Sequence, residues 1–366
     1  MLEHFQVPDS IAVRVKPAHL RATIEQIFMK MNVPKTEAVT AADVLMFADL
    51  KGVDTHGVSN MLRAYVQAYN EKRLNPRPKL KIVKETETTA VVDGDNGLGI
   101  ITCPQAMEIA IEKARRYGMG AVTINNSGHA GAVGYHAMMA AKQDMIGWAM
   151  TGGGNAMVPT FGAEARLGTN PIAFAAPASK EPFFLFDAAM TTIAGNKIGL
   201  LRRLGRPLEP GWVSLADGTP DMTGGQQPEF EAGSVRMQLP LGSTRELGSH
   251  KGYALASIVD ILCGVLSGAA GFDTLDRSRR GHFVAAYRID AFIPAEQFKQ
   301  TMDGFLGTLR ATRPAPGHDR VLYPGLPEYE TEKVRSQKGI PLHPEVVEWF
   351  KGSCAELGIP FKLTSK

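Results

Sequence analysis

The chain has 366 residues, 44% hydrophobic and 21% charged, a composition that excludes a disordered chain and supports a sizeable core. Its 40 basic and 37 acidic side chains leave a formal net charge of +3, too balanced to bind nucleic acid by charge. Cys103, Cys263 and Cys354 are far apart and form no C-x-x-C pair, which argues against a disulfide framework or structural zinc and suits the cytoplasm.

The N-terminal MLEHFQVPDS has neither the basic nor the apolar region of a signal peptide, so none is expected. Leu20, Ile24, Ile27, Phe28 and Met31 share one helical face over residues 17–32. Pro34 and Thr36 open a second helix that stops at Gly52. A third begins near Val58 and carries Met61, Leu62, Tyr65 and Tyr69 on one side. Beyond the proline-rich connector LNPRPKLK the texture changes to short strands, LKIVKE and TAVVDG, closed by turn residues. A helix is expected from Pro104 to Gly118, then the strand AVTI (121–124), a helix over 132–143 and the strand IGWAM (146–150). GGGN (152–155) interrupts the chain, and IAFAAPA and FFLFDAA follow as strands. KGYALASIVDILCGVLSG (251–268) is the most apolar helix, FVAAYRI a strand, and 294–311 an amphipathic helix. Two polar helices close the chain. Alternating strands and helices in the middle indicate an α/β domain.

One stretch, 253–272, is long enough to span a membrane. Asp260 at its centre and its many Ser, Gly and Ala residues favour a buried helix instead.

Candidate chemistry clusters at a few turns. In NSGHAG (126–131), His129 lies between two glycines where a strand meets a helix, the usual ligand position in α/β sheets. A histidine there either moves a proton or merely completes a turn. His56, in DTHG, poses the same question. Asp54 either orients the imidazole or, with Thr55, caps the next helix. Thr169 and Asn170 in GTNP form either a turn or donors for a carboxylate. Asp187 ends the strand FFLFD and either caps a helix or binds a ribose hydroxyl. Lys251 opens the apolar helix against the helix dipole, which suits a nearby anion such as a phosphate or a solvated side chain. Arg277, Arg279 and Arg280 form a short basic cluster, read as a solvated loop. There is no G-x-G-x-x-G after a strand, no P-loop, no H-E-x-x-H and no G-x-S-x-G, and no metal is expected.

DTHG (54–57), NSGHAG (126–131), GTNPIAF (168–174), FDAAMTT (186–192), GNK (195–197), HKGY (250–253) and YPGLPE (323–328) occur in that order. With them the chain resembles the type-2 malate/L-lactate dehydrogenase family, which also holds ureidoglycolate and sulfolactate dehydrogenases and piperideine-2-carboxylate reductases. The resemblance implies an NAD- or NADP-dependent oxidoreductase, a homodimer, with a small 2-oxo or 2-hydroxy acid as substrate. It implies a non-Rossmann NAD(P)-binding α/β domain over 81–294, with a helical lobe formed by the N-terminal segment 1–80 and the C-terminal segment 295–366. It assigns proton transfer to His56 and His129. It assigns the nucleotide to Asp187, Ala188, Ala189, Lys251, Gly252, Gly325, Leu326 and Glu328, and the substrate carboxylate to Thr169, Asn170 and an arginine.

Two departures concern the substrate. The arginine slot that follows DTHG in many members holds Asn60, with Arg63 one helical turn further on as the expected replacement. The Asn before the G-H at 281–282 is replaced, since Arg279 and Arg280 fill that stretch, and GGGN leaves extra room. A cyclic-imine reductase and a non-catalytic nucleotide-binding protein on the same fold are the alternative functions.

Overall fold

The three- and four-residue spacing of apolar side chains near the N-terminus produces helices that bury one face. The computed structural model describes residues 5–225, 237–268 and 280–363. In chain order its elements are β1 (Val13–Val15), α1 (Pro17–Lys30), α2 (Lys35–Leu50), α3 (Met61–Asn70), β2 (Lys81–Glu85), β3 (Thr89–Gly97), α4 (Gly99–Tyr117) and β4 (Met119–Ser127). Then come α5 (Gly134–Ala141), β5 (Met145–Gly152), β6 (Ile172–Ala176), β7 (Phe184–Ala188), α6 (Gly195–Arg203) and α7 (Ser249–Asp260), which continues as a π-helical turn, Ile261–Val265. The chain ends with β8 (Arg280–Arg288), α8 (Ala295–Ala311), α9 (Leu326–Lys338), β9 (Ile340–Leu342) and α10 (Pro344–Leu357).

This is a mixed α/β fold. Seven strands form one sheet in the order β2-β3-β4-β8-β5-β6-β7. Among the described residues β3 and β4 pair in parallel and every other neighbour pairs antiparallel. Side chains alternate between the two faces, so each face has its own core. Val92, Ile111, Val122, Ile124, Ala137 and Val284 pack beneath α4 and α5. Met150, Ile172, Val259 and Cys263 pack beneath α7.

A third core lies outside the sheet. Leu20, Ile24, Phe28, Leu45, Leu62, Val346 and Phe350 join α1, α2, α3 and α10. A two-stranded ribbon ties the chain ends together, with Val13 opposite Leu342 and Val15 opposite Ile340. β9 and α10 are thus the C-terminal elements that join the N-terminal helices. α8 packs elsewhere: its Leu306 lies with Ala178, Tyr323 and Leu326 beside the sheet's outer edge.

Two helix expectations are corrected. α4 begins at Gly99, ahead of Pro104, because the Leu98 carbonyl accepts from the Ile101 and Thr102 N–H groups and closes a turn before the proline. The apolar helix α7 is buried on one side only: Leu255, Ile258, Ile261, Val265 and Leu266 form an exposed stripe along it and the π-helical turn. Its apolar residues outnumber those its packed side can cover. Among the described residues no helix is long and apolar enough to cross a membrane.

Candidate active site

The DTHG loop joins α2 to α3 and is held from both sides. Gly52, with φ 78°, ends α2 as read from the sequence. The Asp49 carboxyl oxygen Oδ2 accepts from the Val58 N–H at 3.0 Å. Gly57 lies so close to Asp49 that a Cβ would fall 1.9 Å from Oδ1, so this position requires glycine. Asp54 does neither of the things expected of it. It forms a buried ion pair with Arg335 of α9, with Nη2 donating to Oδ2 at 3.0 Å and Nη1 also donating to Oδ1. Arg335 Nη1 donates as well to the Asp49 carbonyl at 2.6 Å. Thr55, not Asp54, touches the imidazole, with Oγ1 3.0 Å from His56 Nδ1.

NSGHAG leads from β4 toward α5 and brings His129 against His56. Their rings stack with centroids 5.7 Å apart and planes 10° from parallel. His129 Nδ1 accepts from the Gly131 N–H at 3.1 Å and faces the Tyr65 hydroxyl at 2.7 Å. A backbone N–H can only donate, so His129 is neutral there and carries its proton on Nε2. Burial, then the Arg280 charge and the neighbouring His56, hold the His129 pKa well below the usual range. Burial, then Lys197 and Arg280, push His56 down to about 4. Burial raises the Tyr65 hydroxyl further above its ordinary value, so it stays protonated.

Both histidines line one cavity of about 680 Å³, within the range that takes a cofactor fragment and a small substrate. Tyr65, Thr169, Asn196, Gln238 and Arg280 share its wall. The basic cluster is corrected here: Arg277 and Arg279 lie outside the described residues, but Arg280 is no solvated loop residue. It starts β8 opposite Ser127, and its Nη1 donates to the Gly153 carbonyl at 3.2 Å. The room left by GGGN is taken by this guanidinium, which lies 3.7 Å from where a Cβ on Gly154 would be.

Arg63, the expected carboxylate arginine, is not part of the cavity wall. It donates to Glu345 Oε1 at 2.6 Å, and its guanidinium sits over Trp349 at 5.5 Å. Asn60 also lies outside the wall; it donates to the Asn196 carbonyl at 3.1 Å and accepts from Arg203 Nη1 at 3.0 Å, joining α3 to α6. Thr169 reaches the cavity, but Asn170 is buried and donates to the Ala256 carbonyl at 2.8 Å, stapling the GTNP turn to α7. Tyr65 and Asn196 were missed as site residues, and the Arg279–Arg280 stretch stood out in sequence only as a departure that concerns the substrate. Tyr65 reads in sequence as one more apolar residue of its helix, whereas the GNK motif around Asn196 was a usable signal.

The residues expected at the nucleotide gather mainly at the sheet's outer edge. Asp187 and Ala188 lie on β7, followed by Ala189. Asp187 Oδ2 accepts from the Gly134 N–H at 2.7 Å, so it caps α5 rather than the next helix in sequence. Although the residue is open to solvent on one side, the protein packed around its carboxyl raises the pKa to about 6. The tail turn docks alongside: the Pro324 carbonyl accepts from the Leu185 N–H at 3.1 Å. Gly325 has φ 100°, and a Cβ there would meet the Phe183 carbonyl at 2.6 Å. Glu328 accepts from the Gly325 N–H at 3.2 Å, reaching back over the first turn of α9, and Leu326 is buried. Lys251 is exposed in the first turn of α7, and Gly252 lets that turn pack on the Leu241 backbone.

A profile described as malate/L-lactate dehydrogenase matches residues 15–351. The chain belongs to the malate/L-lactate dehydrogenase family. It is 36% identical over 357 residues to the malate dehydrogenase of Pyrococcus abyssi, covering 96% of this chain and 97% of that one. It is 34% identical over 351 residues to the L-sulfolactate dehydrogenase of Methanocaldococcus jannaschii, covering 94% and 97%. The solved malate dehydrogenase of Pyrococcus horikoshii OT3 superimposes with a TM-score of 0.88 at 33% identity, covering 98% of this chain and 99% of that one. As a member of this dehydrogenase family, the chain is an oxidoreductase of small hydroxy and oxo acids that works with a nicotinamide cofactor.

Proposed function

We propose that this enzyme interconverts a small 2-hydroxy acid and its 2-oxo acid, with His56 and His129 managing the hydroxyl proton. The observation that carries the reading is the stacked, neutral pair of imidazoles on one cavity wall. His129, fixed with its proton on Nε2, suits a donor that polarises the substrate oxygen. His56, neutral at pH 7, suits the base that takes the hydroxyl proton in oxidation and returns it in reduction. Hydride exchange is the chemistry that the bound nicotinamide supplies.

The chain's own groups fit such a cofactor. Asp187 is open on one side, and among the described residues its Oδ1 has no protein partner, which suits a ribose hydroxyl. Ala188, Ala189 and the Gly325–Glu328 turn lie on the same edge, while Lys251 and Gly252 at a helix start suit phosphate. A mostly antiparallel sheet favours a nucleotide-binding mode other than the parallel Rossmann crevice. NAD and NADP both satisfy these groups. The exposed stripe from Leu255 to Leu266 supports a homodimer, since monomers rarely expose such a patch. Three free, buried cysteines support a reducing, cytoplasmic setting.

The test is to follow oxidation of NADH and NADPH with pyruvate, oxaloacetate, sulfopyruvate and piperideine-2-carboxylate. Turnover of at least one 2-oxo acid is expected. Reduction of the imine alone would replace this reading with an imine reductase, and failure to bind either nucleotide would leave a non-catalytic protein.

A further inference from the structure

Among the described residues nothing balances the charge of Arg280. Its guanidinium lies in the wall that carries both histidines, close enough for its charge to depress both imidazoles. Among the described residues no acidic side chain pairs with it; the Gly153 carbonyl takes one N–H, at 3.2 Å. A guanidinium has five N–H donors in a planar fork, so most of them still seek an acceptor. Burial disfavours the charge, yet an arginine cannot shed its proton at any ordinary pH. A cation so far withdrawn from water is stabilised when an anion joins it. The other arginine once expected to meet the substrate is spent on Glu345.

We infer that Arg280 is the specificity residue that grips the substrate's C1 carboxylate, taking over the task left vacant where Asn60 occupies the arginine slot after DTHG. This rests on the hydroxy-acid reading above. The register carries the placement: Arg280 pairs with Ser127 and Gly281 with Gly152, which sets the guanidinium between NSGHAG and GGGN. A 2-oxo acid bound in two parallel hydrogen bonds to this fork directs its C2 oxygen toward the imidazoles. With both histidines neutral, the Arg280 charge favours a carboxylate over a neutral amide or ester.

The experiment titrates oxamate, a carboxylate analogue of pyruvate, and oxamide, its neutral counterpart, into the full-length enzyme loaded with NADH or NADPH. Wild type is expected to bind oxamate and to ignore oxamide. Arg280→Gln should weaken oxamate about 100-fold or more and erase the preference, while nucleotide affinity measured by fluorescence changes little. Arg280→Lys should recover part of the loss, and circular dichroism and melting check that both variants fold. Unchanged oxamate affinity in Arg280→Gln would overturn the assignment while leaving the hydroxy-acid reading intact. So would a loss of nucleotide binding with oxamate unaffected, which would give Arg280 to a cofactor phosphate. Wild-type enzyme that binds nucleotide but neither binds oxamate nor reduces any 2-oxo acid would remove both.

Discussion

His56 and His129, 73 positions apart in sequence, stack with ring centroids 5.7 Å apart and planes 10° from parallel. Two imidazoles this close cannot both ionise at low cost, and the Arg280 charge disfavours either cation further. Replacing either with alanine should cut turnover by about 10²–10⁴-fold, the usual worth of a positioned acid or base. Nucleotide affinity and the circular dichroism spectrum should persist. A fully active variant removes that histidine from the chemistry.

The pH profile follows from the same pair. Oxidation needs a neutral base, and His56 in the free enzyme loses that form only below about 4. The kcat/KM for hydroxy-acid oxidation should therefore stay level on the acid side from pH 8 down to pH 5.5, then decline. An acid limb centred near 6.5 would mean that an unperturbed histidine controls the rate.

Tyr65 touches the ligand cavity and His129 Nδ1 at once. Tyr65→Phe removes a hydroxyl but keeps the ring. It should lower kcat about tenfold, as one lost hydrogen bond would, while the melting temperature moves little. A change confined to thermal stability would leave Tyr65 a packing residue.

Acid stability depends on buried neutral histidines. An unfolded histidine titrates near 6.5, while burial lowers His136 to about 4 and His282 to about 3, as it does His56. Between these values the unfolded chain binds more protons, so stability falls as pH drops from 6.5 toward 4. His136→Gln can still donate to the Ala130 carbonyl that Nε2 now meets at 2.9 Å. Its melting temperature should fall less steeply than wild type between pH 6.5 and 4.5; parallel curves would refute this.

Asp49 works in the opposite sense. Burial, then the Asp54 charge, raise its pKa to about 8. The folded state holds this proton where the unfolded chain, titrating near 3.8, has lost it, so stability declines as pH rises from 3.8 to 8. Asp49→Asn keeps an acceptor for Val58 and has no proton to lose. Its melting temperature should gain on wild type from pH 5 to pH 8 and stay level above. A gap independent of pH counts against the assignment.

Arg335 fastens the DTHG loop to α9 through Asp54. Arg335→Met strands a buried carboxylate and should cost about 3–5 kcal/mol in urea unfolding. Adding Asp54→Asn should return part of that. A loss below about 1 kcal/mol would show that the loop does not rely on the pair.

The chain's own order of residues was enough to identify the helical start, the strand-turn-helix around His129 and the seven motifs that mark the family, because each is a matter of local spacing. It also separated polar turns from apolar strands, since a period of two or 3.6 is written directly in the side chains. Tertiary structure alone decided which charges meet. In sequence Arg63 is the expected carboxylate arginine and Arg280 belongs to a short basic cluster, yet α3 turns the first toward Glu345, and the insertion of β8 between β4 and β5 carries the second to the cavity. Asp54 stands two residues from His56 but answers to Arg335, 281 positions away. Ion pairs of this kind are set by the packing of distant elements, and low local dielectric makes the resulting partner, rather than the nearest neighbour in sequence, the one that governs the group.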